Sequence, residues 1–268
     1  MTASSTPKNA ANVAPDSNIT PEGISAEAAM GWLHTARFLT EAPQLQHLPA
    51  LDVPEIAFVG RSNAGKSTSI NTLTQTRRMA FASKTPGRTQ SINLFALGKH
   101  NETDAVLADL PGYGYAAVPK EAKLRWQRVM ANYLISRPNL RGIVMLCDPR
   151  RGLTELDEIL LDVIRPRVEL GLDFLVLLTK ADKLTKVEAN KALSIARLQT
   201  GGGSLKLFSA LKKQGVTEVA QLLHQWTHDA NWTGNGTQHT ASDHADSGSH
   251  NDMDTDVASD IDDHADRD

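Results

Sequence analysis

Six short apolar runs alternate with segments of helical periodicity through the middle of the chain, and this alternation restricts the fold more than any other feature. The runs are 55–59 "EIAFV", 91–97 "SINLFAL", 104–109 "DAVLAD", 142–147 "GIVMLC", 173–178 "DFLVLL" and 204–208 "SLKLF". The helical patterns cover 66–76, 120–136, 154–170, 185–199 and 215–228. In the second of these, Trp126, Val129, Met130 and Tyr133 recur at helical spacing and predict a buried stripe. Strand and helix in alternation require crossovers, and crossovers bring strands together in parallel. The expected fold is therefore α/β, a six-stranded, mostly parallel sheet with helices on both faces. The short gap between the second and third runs predicts a hairpin and hence an antiparallel edge. Residues 25–41, "SAEAAMGWLHTARFLTE", read as a further helix ahead of the sheet.

The first run leads directly into "GRSNAGKST", which fits G-x-x-x-x-G-K-[ST] as Gly60, Gly65, Lys66 and Ser67. A strand before it and a helix after it form the context of a phosphate-binding loop. The glycines let backbone N–H groups close on a phosphate, and the helix adds its positive end. Lys66 supplies a charge near the β and γ phosphates, and Ser67 a hydroxyl for magnesium. "DLPG", Asp109 to Gly112, closes another run. A carboxylate at the C-terminal end of a strand lies on the edge where parallel α/β sheets bind ligands, and it suits magnesium directly or through water. Gly112 can donate its N–H to a γ-phosphate.

"TKAD", Thr179 to Asp182, selects the base. A carboxylate accepts from both N1–H and the 2-amino group of guanine, whereas adenine offers an acceptor at N1 and nothing at C2. The stem of Lys180 can cover the base plane. "FSA", Phe208 to Ala210, follows the last run, where the Ala210 N–H could donate to guanine O6. Four such motifs in this order, each ending a strand, predict a guanine-nucleotide domain.

Charge divides the chain unevenly. Residues 229–268 hold 11 Asp against Arg267, a net of −10, leaving residues 1–228 with 20 acidic and 27 basic groups, a net of +7. A basic body suits a polyanionic partner such as nucleic acid. Residues 1–24 and the stretch from Asp229 lack apolar periodicity and predict disordered arms. The tail histidines His239, His244, His250 and His264 could chelate a metal, but their irregular spacing favours a solvated tail. No apolar run approaches the ~20 residues needed to cross a bilayer. The single cysteine, Cys147, rules out an intrachain disulfide and reads as a small buried residue at a strand end.

Taken together, "GRSNAGKST", "SKTPGRTQSINLF", "DLPGYGYA", "TKADK" and "FSA" resemble the EngB family of bacterial ribosome-biogenesis GTP-binding proteins over about residues 25–228. The resemblance implies a Ras-like P-loop GTPase domain, GTP or GDP and magnesium binding, and slow hydrolysis. It also implies a cytoplasmic protein that works on the large ribosomal subunit and its rRNA and is linked to cell division and septation. No membrane partner is expected, and a monomer is. Carried over by position, Gly60, Arg61, Ser62, Asn63, Ala64, Gly65, Lys66 and Ser67 hold the phosphates. Gly87, Arg88, Thr89, Gln90 and Ser91 form the first switch, and Asp109, Leu110, Pro111 and Gly112 open the second. Thr179, Lys180, Ala181 and Asp182 read guanine, and Phe208, Ser209 and Ala210 close over it. Ser67 and Thr89 are the implied magnesium ligands, and Lys66, Thr89 and Gly112 the implied catalytic residues. From the residues alone, Thr85 could serve the metal as well as Thr89.

Ras-like enzymes place a water-orienting glutamine after "DxxG". Here that residue is Tyr113, so another group or a partner must orient the water. Asn63 resembles the potassium-coordinating asparagine of some GTPases, and equally fits a residue that only shapes the turn. Lys120, Lys123, Arg125 and Arg128 follow the second switch and are either an rRNA-facing surface or a solvated helix face. A nucleotide-operated switch is the expected role, with a GTP-binding scaffold lacking useful hydrolysis as the alternative.

Overall fold

A computed structural model describes residues 24–77, 79–80, 91–114, 120–230 and 232, all within one compact unit. In chain order the elements are α1 (Ala26–Leu33), β1 (Arg37–Ala42), β2 (Glu55–Gly60), α2 (Lys66–Leu73), β3 (Ile92–Leu97) and β4 (Ala105–Asp109). They continue with α3 (Lys120–Ser136), β5 (Leu140–Cys147), α4 (Glu155–Glu169), β6 (Asp173–Leu178), α5 (Lys186–Thr200), β7 (Ser204–Leu207) and α6 (Val216–Thr227). The strands form one sheet in the order β1-β3-β4-β2-β5-β6-β7. β4, β2, β5, β6 and β7 run parallel, whereas β3 pairs antiparallel with β4 and with β1.

The sheet thus has seven strands where six were expected. The seventh comes from the segment read as one helix over 25–41, which is a helix only as far as Leu33. Ser25 caps that helix by accepting from Ala28 N–H. The chain then turns and pairs with β3 from Arg37 to Ala42, with an irregularity between Phe38 and Thr40. As an edge strand with half of its residues exposed, β1 shows no apolar alternation to mark it.

Two apolar layers cover the sheet. Alternate residues of β2, Ile56 and Phe58, face α1, α2 and α6, where Leu33, Ile70, Leu73, Leu223 and Trp226 are buried. Ala57 and Val59 face the opposite layer, with Tyr133 of α3, Leu160 and Ile164 of α4 and Ala196 of α5. β2 is buried along its whole length, as a central parallel strand should be. Its first residue, Glu55, is a fully buried carboxylate. Arg137 donates to it from Nη2 at 2.9 Å, Asn139 from Nδ2 at 3.3 Å, and the Tyr133 hydroxyl also bonds it. These contacts fix the end of α3 to the start of the strand that delivers the phosphate-binding loop.

Several sequence expectations lie outside the described residues: Thr85, Gly87, Arg88, Thr89 and Gln90, residues 1–23, the tail histidines, and the side chains of Lys120, Lys123, Arg125 and Trp126.

Candidate nucleotide site

The parallel strands deliver the predicted motifs to one edge of the sheet. After Gly60 at the end of β2, Asn63 takes φ of +66° and Gly65 φ of +99°, and α2 starts at Lys66. The left-handed backbone at Gly65 is open to glycine with little strain, and it turns the chain into the helix with its first N–H groups free for an anion. Ser67 sits half-buried in the first turn of α2. Lys66 Nζ pairs with Asp109, a buried carboxylate at the end of β4.

Beyond Asp109, the second-switch motif lies against the phosphate loop. Leu110 N–H donates to Phe58 O at 3.1 Å, Tyr113 N–H to Gly60 O at 3.3 Å, and Ser62 N–H to Tyr113 O at 2.8 Å. A parallel bridge joins Arg61 to Tyr113 and extends the β2–β4 pairing past both strand ends. Pro111 is half-buried and Gly112 exposed. A Cβ at Gly112 would stand 3.2 Å from Ser62 N, so only glycine fits without displacing the loop. Tyr113 is buried, and its hydroxyl donates to Asp157 Oδ1 at 2.7 Å. Burial, reinforced by the Asp157 charge, pushes its phenol well above the ordinary tyrosine range. The other oxygen of Asp157 accepts from Thr154 N–H at 2.8 Å and closes the capping box of α4.

At the base end, Thr179 Oγ1 donates to Ala64 O at 2.6 Å, which ties the base-reading turn to the phosphate loop. Lys180 has φ of +55° and reaches across to donate to Asn63 O at 2.8 Å. Ala181 N–H donates to Phe208 O at 3.0 Å. Asp182 accepts from the Ser209 hydroxyl at 2.6 Å, and that bond holds its carboxyl below the usual range, in the ionised form that guanine recognition needs. Phe208 and Ser209 are buried and Ala210 is half-buried. Phosphate loop, second switch, "TKAD" and "FSA" therefore converge. Of the predicted first switch only Ser91 lies within the described residues, buried just ahead of β3.

One carboxylate of this edge was missed. Asp148, one position past β5, accepts from Lys180 Nζ at 3.1 Å and from Arg150 Nη2 at 2.6 Å. The Arg150 contacts hold its carboxyl well below the usual range against the opposing effect of burial. The available signal was an Asp ending an apolar run, the same signal that marked Asp109. Cys147 behaves as expected: it is buried, its Sγ donates to Gly152 O at 3.3 Å, and burial pushes the thiol up to about 12.

A family model described as "50S ribosome-binding GTPase" matches residues 55–180, the span from β2 through Lys180. A GTP-binding protein EngB from Polaromonas sp. is 77% identical over 203 residues, covering 76% of this chain and 83% of that one. The chain belongs to the EngB family. A second EngB protein, from Albidiferax ferrireducens, is 74% identical over 202 residues, 75% of this chain and 98% of its own length. A crystal structure of an engB GTP-binding protein superposes with a TM-score of 0.51 at 23% identity, covering 65% of this chain and 98% of that one, and it bears on the fold alone. As a member of the EngB family the chain carries a P-loop GTPase domain that binds GTP and GDP.

Proposed function

We propose that this EngB-family chain is a magnesium-dependent GTPase with slow turnover on its own, and that it acts as a nucleotide-operated switch in assembly of the large ribosomal subunit. It works as a cytoplasmic monomer on that particle and its rRNA, and septation depends on it. The reading rests chiefly on the convergence of Ser67, Asp109, Gly112 and Asp182 at one edge, with Asp182 already oriented by Ser209. The family model description and the +7 charge of residues 1–228 support a ribosomal partner. No helix among the described residues is long and apolar enough to cross a membrane.

Oxygen donors at the phosphate end suit magnesium: the Ser67 hydroxyl directly and Asp109 through water, with Thr89, outside the described residues, as the further ligand that the family resemblance implies. When bound, the ion neutralises phosphate charge. Gly60 to Lys66 would wrap the phosphates, Gly112 N–H would donate to the γ-phosphate, and Asp182 would select guanine. Slow turnover follows from Tyr113, which occupies the place of the water-orienting glutamine while its hydroxyl is engaged by Asp157. Single-turnover phosphate release from labelled GTP tests hydrolysis; no release at all makes the protein a GTP-binding scaffold. Sedimentation with large subunits in GTP or GDP analogues tests the switch, and equal binding in both overturns it.

Two further assignments belong to this reading. Asn63 holds potassium near the phosphates, so exchanging sodium for potassium raises turnover several-fold and Asn63→Ala removes the difference while GTP binding stays measurable. Equal rates in both salts would return Asn63 to shaping the turn, a role its left-handed backbone already fits. The basic residues of α3, of which Arg128 is exposed, meet rRNA. Reversing the charges of Lys123 and Arg128 then weakens subunit binding without changing nucleotide affinity, and unchanged co-sedimentation at low salt would overturn the assignment.

A further inference from the structure

Asp148 is a carboxylate 6% exposed, at the junction of the two loops that the nucleotide must span. Both its oxygens are committed. Oδ1 accepts from Arg150 Nε at 2.9 Å and from Arg150 N–H at 3.2 Å. Oδ2 accepts from Arg150 Nη2 at 2.6 Å and from Lys180 Nζ at 3.1 Å. A planar guanidinium clamped on both oxygens leaves the carboxylate little rotational freedom, so Oδ2 is aimed at Lys180. The Lys180 ammonium is then fixed from two sides, by Asp148 and by Asn63 O of the phosphate loop.

A lysine side chain on the surface samples many rotamers, and ordering it on ligand binding opposes that binding. Lys180 here is ordered before any ligand arrives, and its backbone is held in the left-handed region that non-glycine residues rarely enter. Without the Asp148 charge, Lys180 and Arg150 would be two cations with no carboxylate between them, and the lysine would move outward.

We propose that Asp148 is a positioning residue of the guanine-nucleotide site: braced by Arg150, it holds Lys180 extended between the base-reading turn and the phosphate loop. The inference rests on the nucleotide reading given above. It separates two duties at the base end, with Asp182 choosing the base and the Arg150–Asp148–Lys180 chain raising affinity for any nucleotide that the pocket accepts.

The test is fluorescence titration with labelled GDP and labelled XDP on the full chain. Asp148→Asn keeps the shape and removes the charge, and should weaken GDP binding about tenfold, the effect of losing one charge-assisted contact. The preference for GDP over XDP should not change, because Asp182 is untouched. In a Lys180→Ala background the same substitution should change affinity less than about twofold, since coupled residues are not additive. Arg150→Met, on a half-exposed side chain that does not threaten folding, should give a smaller loss that also vanishes in the Lys180→Ala background. Unchanged GDP affinity in both variants, or an equal loss with and without Lys180, would overturn the inference while leaving the nucleotide reading intact. Failure of the wild-type chain to bind labelled GDP would overturn the nucleotide reading itself.

Discussion

The two ends of the candidate site are built on opposite terms. At the base end the polar groups bond across loops in ways that leave the ligand-facing groups in place: Thr179 to Ala64, Ala181 to Phe208, Ser209 to Asp182. At the phosphate end, groups that a phosphate would use are bonded to internal substitutes. Lys66 pairs with Asp109, and Ser62 N–H is given to Tyr113 O. The base end is organised in this structure by its own bonds, which suits the selective role proposed for it. The phosphate end must exchange internal partners for external ones, and such an exchange can couple ligand state to conformation.

The largest expected effect breaks the organised end. Asp182→Asn replaces an acceptor of two guanine hydrogen bonds by an amide that matches xanthine, so GDP affinity should fall by about 100-fold or more while XDP affinity rises. Titration with both labelled nucleotides reads the exchange, and a variant that keeps its GDP affinity would show that "TKAD" does not read the base.

A smaller effect sharpens the contrast at the other end. Asp109→Asn leaves Lys66 without its internal partner, and a phosphate can then take it without competition. With EDTA present, GDP should bind about threefold to tenfold more tightly to the variant, on the scale of a charge-assisted contact. The gain that magnesium gives the wild type should shrink. Equal binding of variant and wild type in EDTA would mean that the ion pair does not compete with phosphate.

The smallest effect lies away from both ends. Asp104 precedes β4, whose other end is Asp109, and accepts from Trp32 Nε1 at 3.0 Å. Trp32 packs edge-on to His224 and His228, whose rings stack at 3.7 Å. Burial, helped by His228, lowers the His224 pKa from 6.5 to about 4. The unfolded chain takes up this proton first as the solution is acidified, so the stability is complete above pH 6.5 and is lost as pH falls toward 4. Because the ring is half-exposed, the loss should be only about 1 kcal/mol, well short of the full linkage value. Thermal midpoints at pH 7 and pH 5 should differ less in His224→Gln than in wild type, and GDP affinity at pH 6 should be unchanged. An identical midpoint shift in the variant would remove His224 as the source.

What the sequence made legible was whatever repeats locally or recurs as a motif. The central strands read as apolar runs because both of their faces are buried, and α4 and α5 begin at capping boxes written in four consecutive residues. β1 was not legible, because an edge strand is specified by backbone pairing with β3, from Ala42 with Ile92 to Arg37 with Ala96, and its exposed Phe38 and Leu39 carry no periodicity. The motif residues were legible one by one; their partners were not. Tyr113 was visibly not a glutamine, yet its engagement by Asp157 depends on a helix 44 residues away. Asp148 likewise finds Lys180 32 residues on, a distance fixed by the spacing of β5 and β6 in the sheet.

The bridge between Arg61 and Tyr113 makes two loops mechanically one. If Gly112 shifts far enough to carry Tyr113 with it, Ser62 loses an acceptor and Asp157, which caps α4, loses a donor. Tyr113 would then work as a detent: small displacements would be resisted by both bonds at once, and a large one would release both together. A guanine nucleotide that crosses this threshold would turn a graded pull on one glycine into an all-or-none step felt at the start of α4.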